Sequence, residues 1–349
     1  MSNITVPQSL CIIRLSAIGD CINVIPMVQL IQKTYPSIKI TWITEKIETE
    51  ILDFLPNIEF ITFNKKDGFK EFKRIKKLLK KQSFDYLLHI QSAFKASIIA
   101  SFVKATTKIG FNWERSKDLQ WLFVNQKIPK PKSKHVVDGF MEFAYAIGCP
   151  YEAPTWQLQI NDQSLRKIKT LLSFDRPICL VNPCTSKESK NWTIEGYIDI
   201  CNYMADKGFN VYLIGGNSKI EQIYNHEIIH TVRSGVESLI GKTTIKDLLA
   251  LISLSDLTIS ADTAAVHIAN ALGKPVVGLY ATHDPKRVGP YNQLQYVVSV
   301  YEQCIKKEYN KPSDQLPWRT RVHDREAMKI ITFDMVQSKI DQICQDFNI

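Results

Sequence analysis

Short β-branched runs alternate with helical repeats twice along the chain, and no other feature constrains the fold as much. In the first half LCIIRL, KITWIT, IEFITF and FDYLLHI read as strands, with helical spacing near residues 22–35, 45–54, 69–81 and 92–103 between them. Repeated strand–helix units predict a parallel sheet covered by helices. PKPKSK at residues 129–134 interrupts the pattern, because proline cannot continue a helix. HVVDGFMEFAYAIG resumes a helix that Gly148 would cap. After the proline-bearing CPYEAPTWQLQIN the alternation restarts. PICLVNP, NVYLIGG, DLTISAD and PVVGLY read as strands, and residues 193–207, 218–229, 244–254 and 263–272 as helices. A chain of 349 residues exceeds the usual size of one core. The reading is therefore α/β with two parallel-sheet domains, residues 1–155 and 156–330, and a final helix at about 333–346 within a closing segment, 331–349. Ligands of open parallel sheets lie beyond the carboxyl ends of the strands, and clefts between domains commonly hold them.

Composition excludes several classes. Hydrophobic residues make up 45% and charged residues 23%, which fits a folded globular protein. No apolar stretch reaches the roughly 18 residues of a spanning helix. The longest candidate, LTISADTAAVHIANALGKPVVGLY, is broken by Asp262, His267 and Lys274. MSNITVPQSL lacks the basic start and apolar core of a secretion signal, so a cytoplasmic location is expected. Eight cysteines are scattered without a C-x-x-C pair, which disfavours a zinc site or disulfide framework and suits reduced core thiols.

The net charge of +9 is concentrated. KKDGFKEFKRIKKLLKK, residues 65–81, carries nine Lys/Arg against Asp67 and Glu71. Phe72, Ile75 and Leu79 recur at helical spacing, so the stripe can dock while Lys73, Arg74, Lys76, Lys77, Lys80 and Lys81 face out. That face is either simply solvated or a patch for an anionic partner, whether nucleic acid, anionic membrane or acidic substrate. No nucleic-acid motif accompanies it.

The strand ends carry the candidate chemistry. In RLSAIGD, Gly19 permits close backbone approach, and Asp20 is either a helix cap or a general base. Arg14 and Ser16 would orient the base or its substrate, or Arg14 is a structural ion-pair partner. VNPCTSKESKNWT concentrates Thr185, Ser186, Lys187, Ser189 and Lys190, donors suited to phosphate oxygens, although a polar surface loop has the same composition. A P-loop is absent, and so is any G-x-G dinucleotide fingerprint. After LIGG, Glu221 would accept two ribose hydroxyls or is an exposed helical residue. SADTAAVHIANALGKP reads as strand, turn and short helix whose N–H groups favour phosphate. His267 lies one turn after Thr263, to pack or to reach the same ligand.

Taken in order, RLSAIGD, HIQSAFKASI, SKNW, LIGG with Glu221, and SADTAAVHIANALGKPVVGLYATHDP resemble the lipopolysaccharide heptosyltransferases, glycosyltransferase family 9. Within that family the likeness is greatest to heptosyltransferase I, which adds the first inner-core heptose. The resemblance implies the GT-B architecture, two Rossmann-like domains facing across a cleft, with the final helix returning toward the first domain. It implies inverting transfer of L-glycero-D-manno-heptose from ADP-heptose to Kdo of Kdo-lipid A, with no cofactor and no required metal. Asp20 would be the base, Lys190 the diphosphate ligand with Thr185 and Ser186, Glu221 the ribose ligand, and Thr243 the neighbour of adenine. Asp262, Thr263, Ala264 and His267 match the donor segment, with alanine at 264 where the family commonly has glycine. YATHDP departs from the frequent GPTDP form and leaves His283 without a role. Arg14, Ser16, Lys73, Lys76 and Lys77 are the acceptor-side candidates, and the acceptor's anionic leaflet is a peripheral partner. The competing readings are a family 9 transferase using another nucleotide sugar and a non-catalytic glycolipid- or nucleotide-binding protein.

Overall fold

The computed structural model describes residues 6–349. The first half of MSNITVPQSL, on which the secretion reading rests, lies outside the described residues. The chain divides into two units, Met1–Trp156 and Gln157–Ile349.

In the first unit the order is β1 (Ser9–Ile13), α1 (Ile18–Thr34), β2 (Lys39–Thr44), α2 (Lys46–Leu52), β3 (Ile58–Thr62), α3 (Gly68–Leu79), β4 (Phe84–His89), α4 (Phe94–Phe102), β5 (Ala105–Gly110), β6 (Gln126–Lys127) and α5 (Val136–Ala146). The described strands form one parallel sheet in the order β3-β2-β1-β4-β5-β6. Leu10, Cys11, Ile12 and Ile13 are all fully buried, as a central strand covered on both faces requires. Ile75 and Leu79 of α3, Ile99 and Ala100 of α4, and Phe123 pack together over one face. Gly148, at φ +96°, ends the α5 segment in the left-handed region.

The second unit runs α6 (Asp162–Lys169), β7 (Ile178–Asn182), α7 (Ile194–Asp206), β8 (Asn210–Leu213), α8 (Lys219–Ile229), β9 (Val236–Ser238), α9 (Ile245–Leu254), β10 (Leu257–Ala261), α10 (Ala264–Ala271), β11 (Val276–Tyr280), α11 (Pro285–Val288), β12 (Val298–Ser299), α12 (Tyr301–Tyr309) and α13 (Phe333–Phe347). Its described strands are also parallel, in the order β12-β11-β10-β7-β8-β9. Val336, Ile340 and Ile343 of α13 join Trp192, Tyr197 and Met204 in this unit's core. Trp192 is anchored by its indole N–H, which donates to the Ile331 carbonyl at 2.9 Å. Burying a side chain of that size contributes about 3 kcal/mol.

Counted within each unit, both sheets run 3-2-1-4-5-6. The order reverses between β1 and β4 and again between β7 and β10. Chains leaving such neighbours turn to opposite faces and open a crevice at the strands' carboxyl ends. Four strands escaped the sequence reading: β5, β6, β9 and β12. They lie at or next to the sheet edges, and three of them have two or three residues, too few to show a period. The short helices α6, α11 and α12 were likewise missed. Helix α1 begins at Ile18 rather than near residue 22, because Ala17 is the extended residue that precedes it. Asp20 therefore sits inside the first helical turn.

Candidate functional site

In the first unit, the crevice between β1 and β4 is lined by the turn that carries Asp20. The Asp20 carboxylate is 37% exposed and ion-paired with Arg14. Arg14 is fixed from behind: its Nη1 donates to the Ile90 carbonyl at 3.0 Å, and its guanidinium lies 5.6 Å from the Phe140 ring. Of the two readings of Asp20, the helix cap fails, since Ala17 is the cap residue and the cap has no side-chain hydrogen bond. A carboxylate in the first turn is still favoured by the helix dipole. Ser16 is half-buried and its carbonyl accepts from Gln91 Nε2 at 3.3 Å, while Gln91 Oε1 accepts from Leu15 N at 2.6 Å. Gln91 thus splints the turn. A polar residue directly after a buried strand was the signal that could have identified it.

Glu48, in the first turn of α2, was also missed. It is buried, and its Oε2 has no hydrogen-bond partner. Burial pushes its carboxyl up from 4.5 to about 7; Glu45 adds to the rise, while its own backbone N–H, Lys65 and Arg14 oppose it. The native state therefore keeps a proton that the unfolded chain releases above about pH 4.5, so this residue costs stability as pH rises toward 7. Glu48→Gln is expected to be up to about 3 kcal/mol more stable than the parent at alkaline pH, with little difference in mild acid. Urea midpoints compared at acid and alkaline pH check this; a gap that does not widen with pH would contradict it.

In the second unit the crevice between β7 and β10 is more strongly charged. Lys190 ends a 3-10 turn, Glu188–Lys190, just before the anchored Trp192. Its Nζ lies 2.6 Å from Asp262 Oδ2. His267 Nε2 is 3.9 Å from Asp262 Oδ1, and His283 Nδ1 is 3.7 Å from Oδ2. Burial alone would push the Asp262 carboxyl up, but His267 and the Lys190 charge outweigh it and hold it well below the usual carboxylate range. Burial, reinforced by Lys190, drives His283 down to about 3, so that ring is neutral. One carboxylate thus gathers a lysine and a histidine from two loops and a second histidine from α10. Thr263 caps α10, accepting from Ala265 N at 3.2 Å, and it also bonds Ser260 Oγ and Asn182 Nδ2. Ala264 is the first helical residue, half-buried. Asn182 Oδ1, buried at the end of β7, has no hydrogen-bond partner.

The remaining candidates continue along the same sheet edge. The Thr185 hydroxyl accepts from Lys187 N at 3.1 Å and donates to Lys187 O at 2.7 Å, closing a local turn. Ser186 is exposed beside it. Glu221 belongs to a capping box with Ser218. Its carboxylate accepts from Gly216 N at 2.6 Å, Ser218 N at 2.8 Å and Ser218 Oγ at 2.6 Å. A Cβ on Gly216 would lie 3.0 Å from Glu221 Oε2, so a side chain there would press on the carboxylate and shift it by a few tenths of an ångström. Gly241 N donates to the Gly215 carbonyl at 3.2 Å, which brings half-buried Thr243 close to this loop. From His283 after β11 to Thr243 after β9 the candidates span five adjacent strands, a rim of about 19 Å. Helix N-terminus, ammonium and hydroxyls along that rim suit a diphosphate with a polar group at each end.

On α3, Lys73, Arg74, Lys76 and Lys77 are exposed as expected, and Arg74 also pairs with buried Glu71 at 2.5 Å. Cysteines that the sequence assigned to the core are there: all but half-buried Cys344 are buried, and all are free thiols. Among the described residues no group of three or more His, Cys, Asp and Glu is arranged to hold a metal ion. No described helix is long and apolar enough to cross a membrane.

The profile of glycosyltransferase family 9 (heptosyltransferase) matches residues 72–317. The chain is 42% identical over 337 residues to the lipopolysaccharide core heptosyltransferase OpsX of Haemophilus influenzae, covering 97% of each. Identity to lipopolysaccharide heptosyltransferase 1 of Escherichia coli is 23% over 301 residues, covering 82% of this chain and 92% of that one. A solved family 9 glycosyl transferase from Veillonella parvula superposes with a TM-score of 0.81 at 17% identity, covering 97% of this chain and 98% of that one. E. coli heptosyltransferase WaaC with ADP gives 0.73 at 18% identity, covering 97% and 99%.

Proposed function

The chain belongs to glycosyltransferase family 9 and has its GT-B fold, and from that premise we propose that it moves L-glycero-D-manno-heptose from ADP-heptose to the Kdo of Kdo-lipid A. The observation that carries this reading is the Lys190–Asp262 pair set at the start of α10, with His267 and His283 around it. A concentrated anion is what such a cradle is suited to hold.

In this mechanism the acceptor hydroxyl attacks the anomeric carbon of heptose, and its proton passes to the Asp20 carboxylate. The bond from that carbon to the diphosphate oxygen breaks, and its electron pair leaves with ADP. Attack opposite the leaving group inverts the centre. Arg14 holds the base in position. Lys190, Thr185, Ser186 and the N–H groups beginning at Ala264 meet the charge that develops on the diphosphate. His267 supports Asp262. Glu221 has one lone-pair site beyond the three used by its own loop, enough for one ribose hydroxyl. Thr243 borders the base. Ala264 offers its N–H as glycine would, with a methyl group limiting how closely the ligand comes. On the acceptor side Ser16 lies beside the attacking hydroxyl, and Lys73, Lys76 and Lys77 take the acidic groups of the acceptor and of the leaflet that holds it.

The test is a donor and acceptor screen read by mass spectrometry. ADP-heptose and a nucleotide-linked N-acetylhexosamine are each offered with Kdo-lipid A bearing one phosphorylated Kdo or two Kdo units. A single heptose added from ADP-heptose is the expected product. Addition of the hexosamine, or of nothing, would overturn the assignment.

A further inference from the structure

An apolar patch of the first unit is left unabsorbed by the transfer chemistry. Trp113 is 65% exposed, Leu119 53%, Trp121 42% and Leu122 57%. The two indole rings lie 5.9 Å apart, and Lys127 Nζ sits 3.7 Å over the Trp113 ring. Contiguous exposed apolar side chains rimmed by polar ones mark interaction surfaces.

The patch is held rigidly. Gln120, in its middle, is fully buried; its Nε2 donates to the His89 carbonyl at 2.7 Å, and its Oε1 accepts from Phe111 N at 3.2 Å. Phe123 packs into the core beside α4. The neighbours of these two anchors are thereby forced outward. Leu119 itself adopts φ +59°, a region leucine rarely occupies, and turns an apolar side chain to water. Residues 113–134 carry six Lys/Arg against Glu114 and Asp118. The segment also adjoins the Asp20 turn: Ser92 Oγ donates to the Arg115 carbonyl at 3.2 Å, and the preceding Gln91 splints Leu15 and Ser16.

We propose that Trp113, Leu119, Trp121 and Leu122 insert into the headgroup layer of an anionic lipid bilayer while the surrounding lysines meet its phosphates. Indoles suit that layer because the ring is apolar and its N–H is polar. Clustered cations are attracted by the layer's negative potential, and apolar insertion adds area-dependent binding. Nucleic acid or an acidic protein would satisfy the lysines and leave the leucines unused. The inference rests on the proposed membrane-borne acceptor and assigns the surface that reaches it.

The test is co-sedimentation of the full chain with vesicles of phosphatidylcholine alone or mixed with phosphatidylglycerol. The parent chain is expected to partition onto the mixed vesicles, less so in high salt, and the W113S/W121S variant to bind them about tenfold more weakly or worse. Brominated lipids should quench part of the parent's tryptophan fluorescence, a readout that does not require the variant to fold. Binding by the parent with no loss in the variant and no quenching would overturn the patch and keep the membrane-borne acceptor. A parent chain that ignores mixed vesicles yet transfers heptose to Kdo-lipid A would overturn the patch and leave the proposed transfer standing.

Discussion

In steady-state assays Asp20→Asn is expected to lower kcat by about 10²–10⁴-fold, the range a positioned general base supplies, and to leave ADP affinity unchanged. Asparagine keeps the shape of the side chain and an oxygen that accepts from Arg14, so the turn between β1 and α1 keeps its packing. It cannot take a proton from the attacking hydroxyl at neutral pH. Alanine is a poorer test, because it would also leave the largely buried Arg14 guanidinium without its partner. The split between rate and nucleotide binding is the diagnostic. An unchanged kcat, or lost ADP binding with intact turnover, would remove Asp20 from the role of base.

Lys190→Met is expected to weaken ADP binding by about 10–150-fold, corresponding to the 1.5–3 kcal/mol of a hydrogen bond to a charged group. Turnover should fall as well, because in the proposed mechanism the same ammonium meets the charge developing on the leaving diphosphate. The loss has two sources. One is the missing ammonium, and the other is the Asp262 carboxylate, left facing the proposed phosphate site with its closest cation gone. The double variant Lys190→Met/Asp262→Asn should therefore bind ADP more tightly than Lys190→Met alone, and calorimetric titration of the four proteins in that cycle measures the difference. Purely additive effects would mean that the pair does not act as a unit.

The sequence revealed most where one physical signal ran uninterrupted. Buried central strands such as Leu10–Ile13 and Ile178–Val181 are apolar from end to end, and the helices between them keep their period. The edge strands offered no such run. Asp20, Lys190 and Asp262 could be singled out one at a time, as polar residues just past buried strands. Their pairing could not be read: Lys190 meets Asp262 across 72 residues of chain, and only the strand order makes β7 and β10 neighbours. His283 had no visible role for the same reason, since its partner lies on another loop. Glu221 gives the opposite lesson. Ser218-Lys-Ile-Glu221 is a capping-box spacing, so its local brace was legible in the sequence alongside the ribose role. Glu48 looks like any surface glutamate on a short helix, and its burial belongs to tertiary packing.

Helix α13 closes over the core of its own unit, through Val336, Ile340 and Ile343. A truncation at residue 330 would strip that cover and bare a greasy seam, whereas a fragment starting at residue 157 takes its lid along. The second unit thus carries, in its own sequence, the cover that keeps its core sealed when cut free.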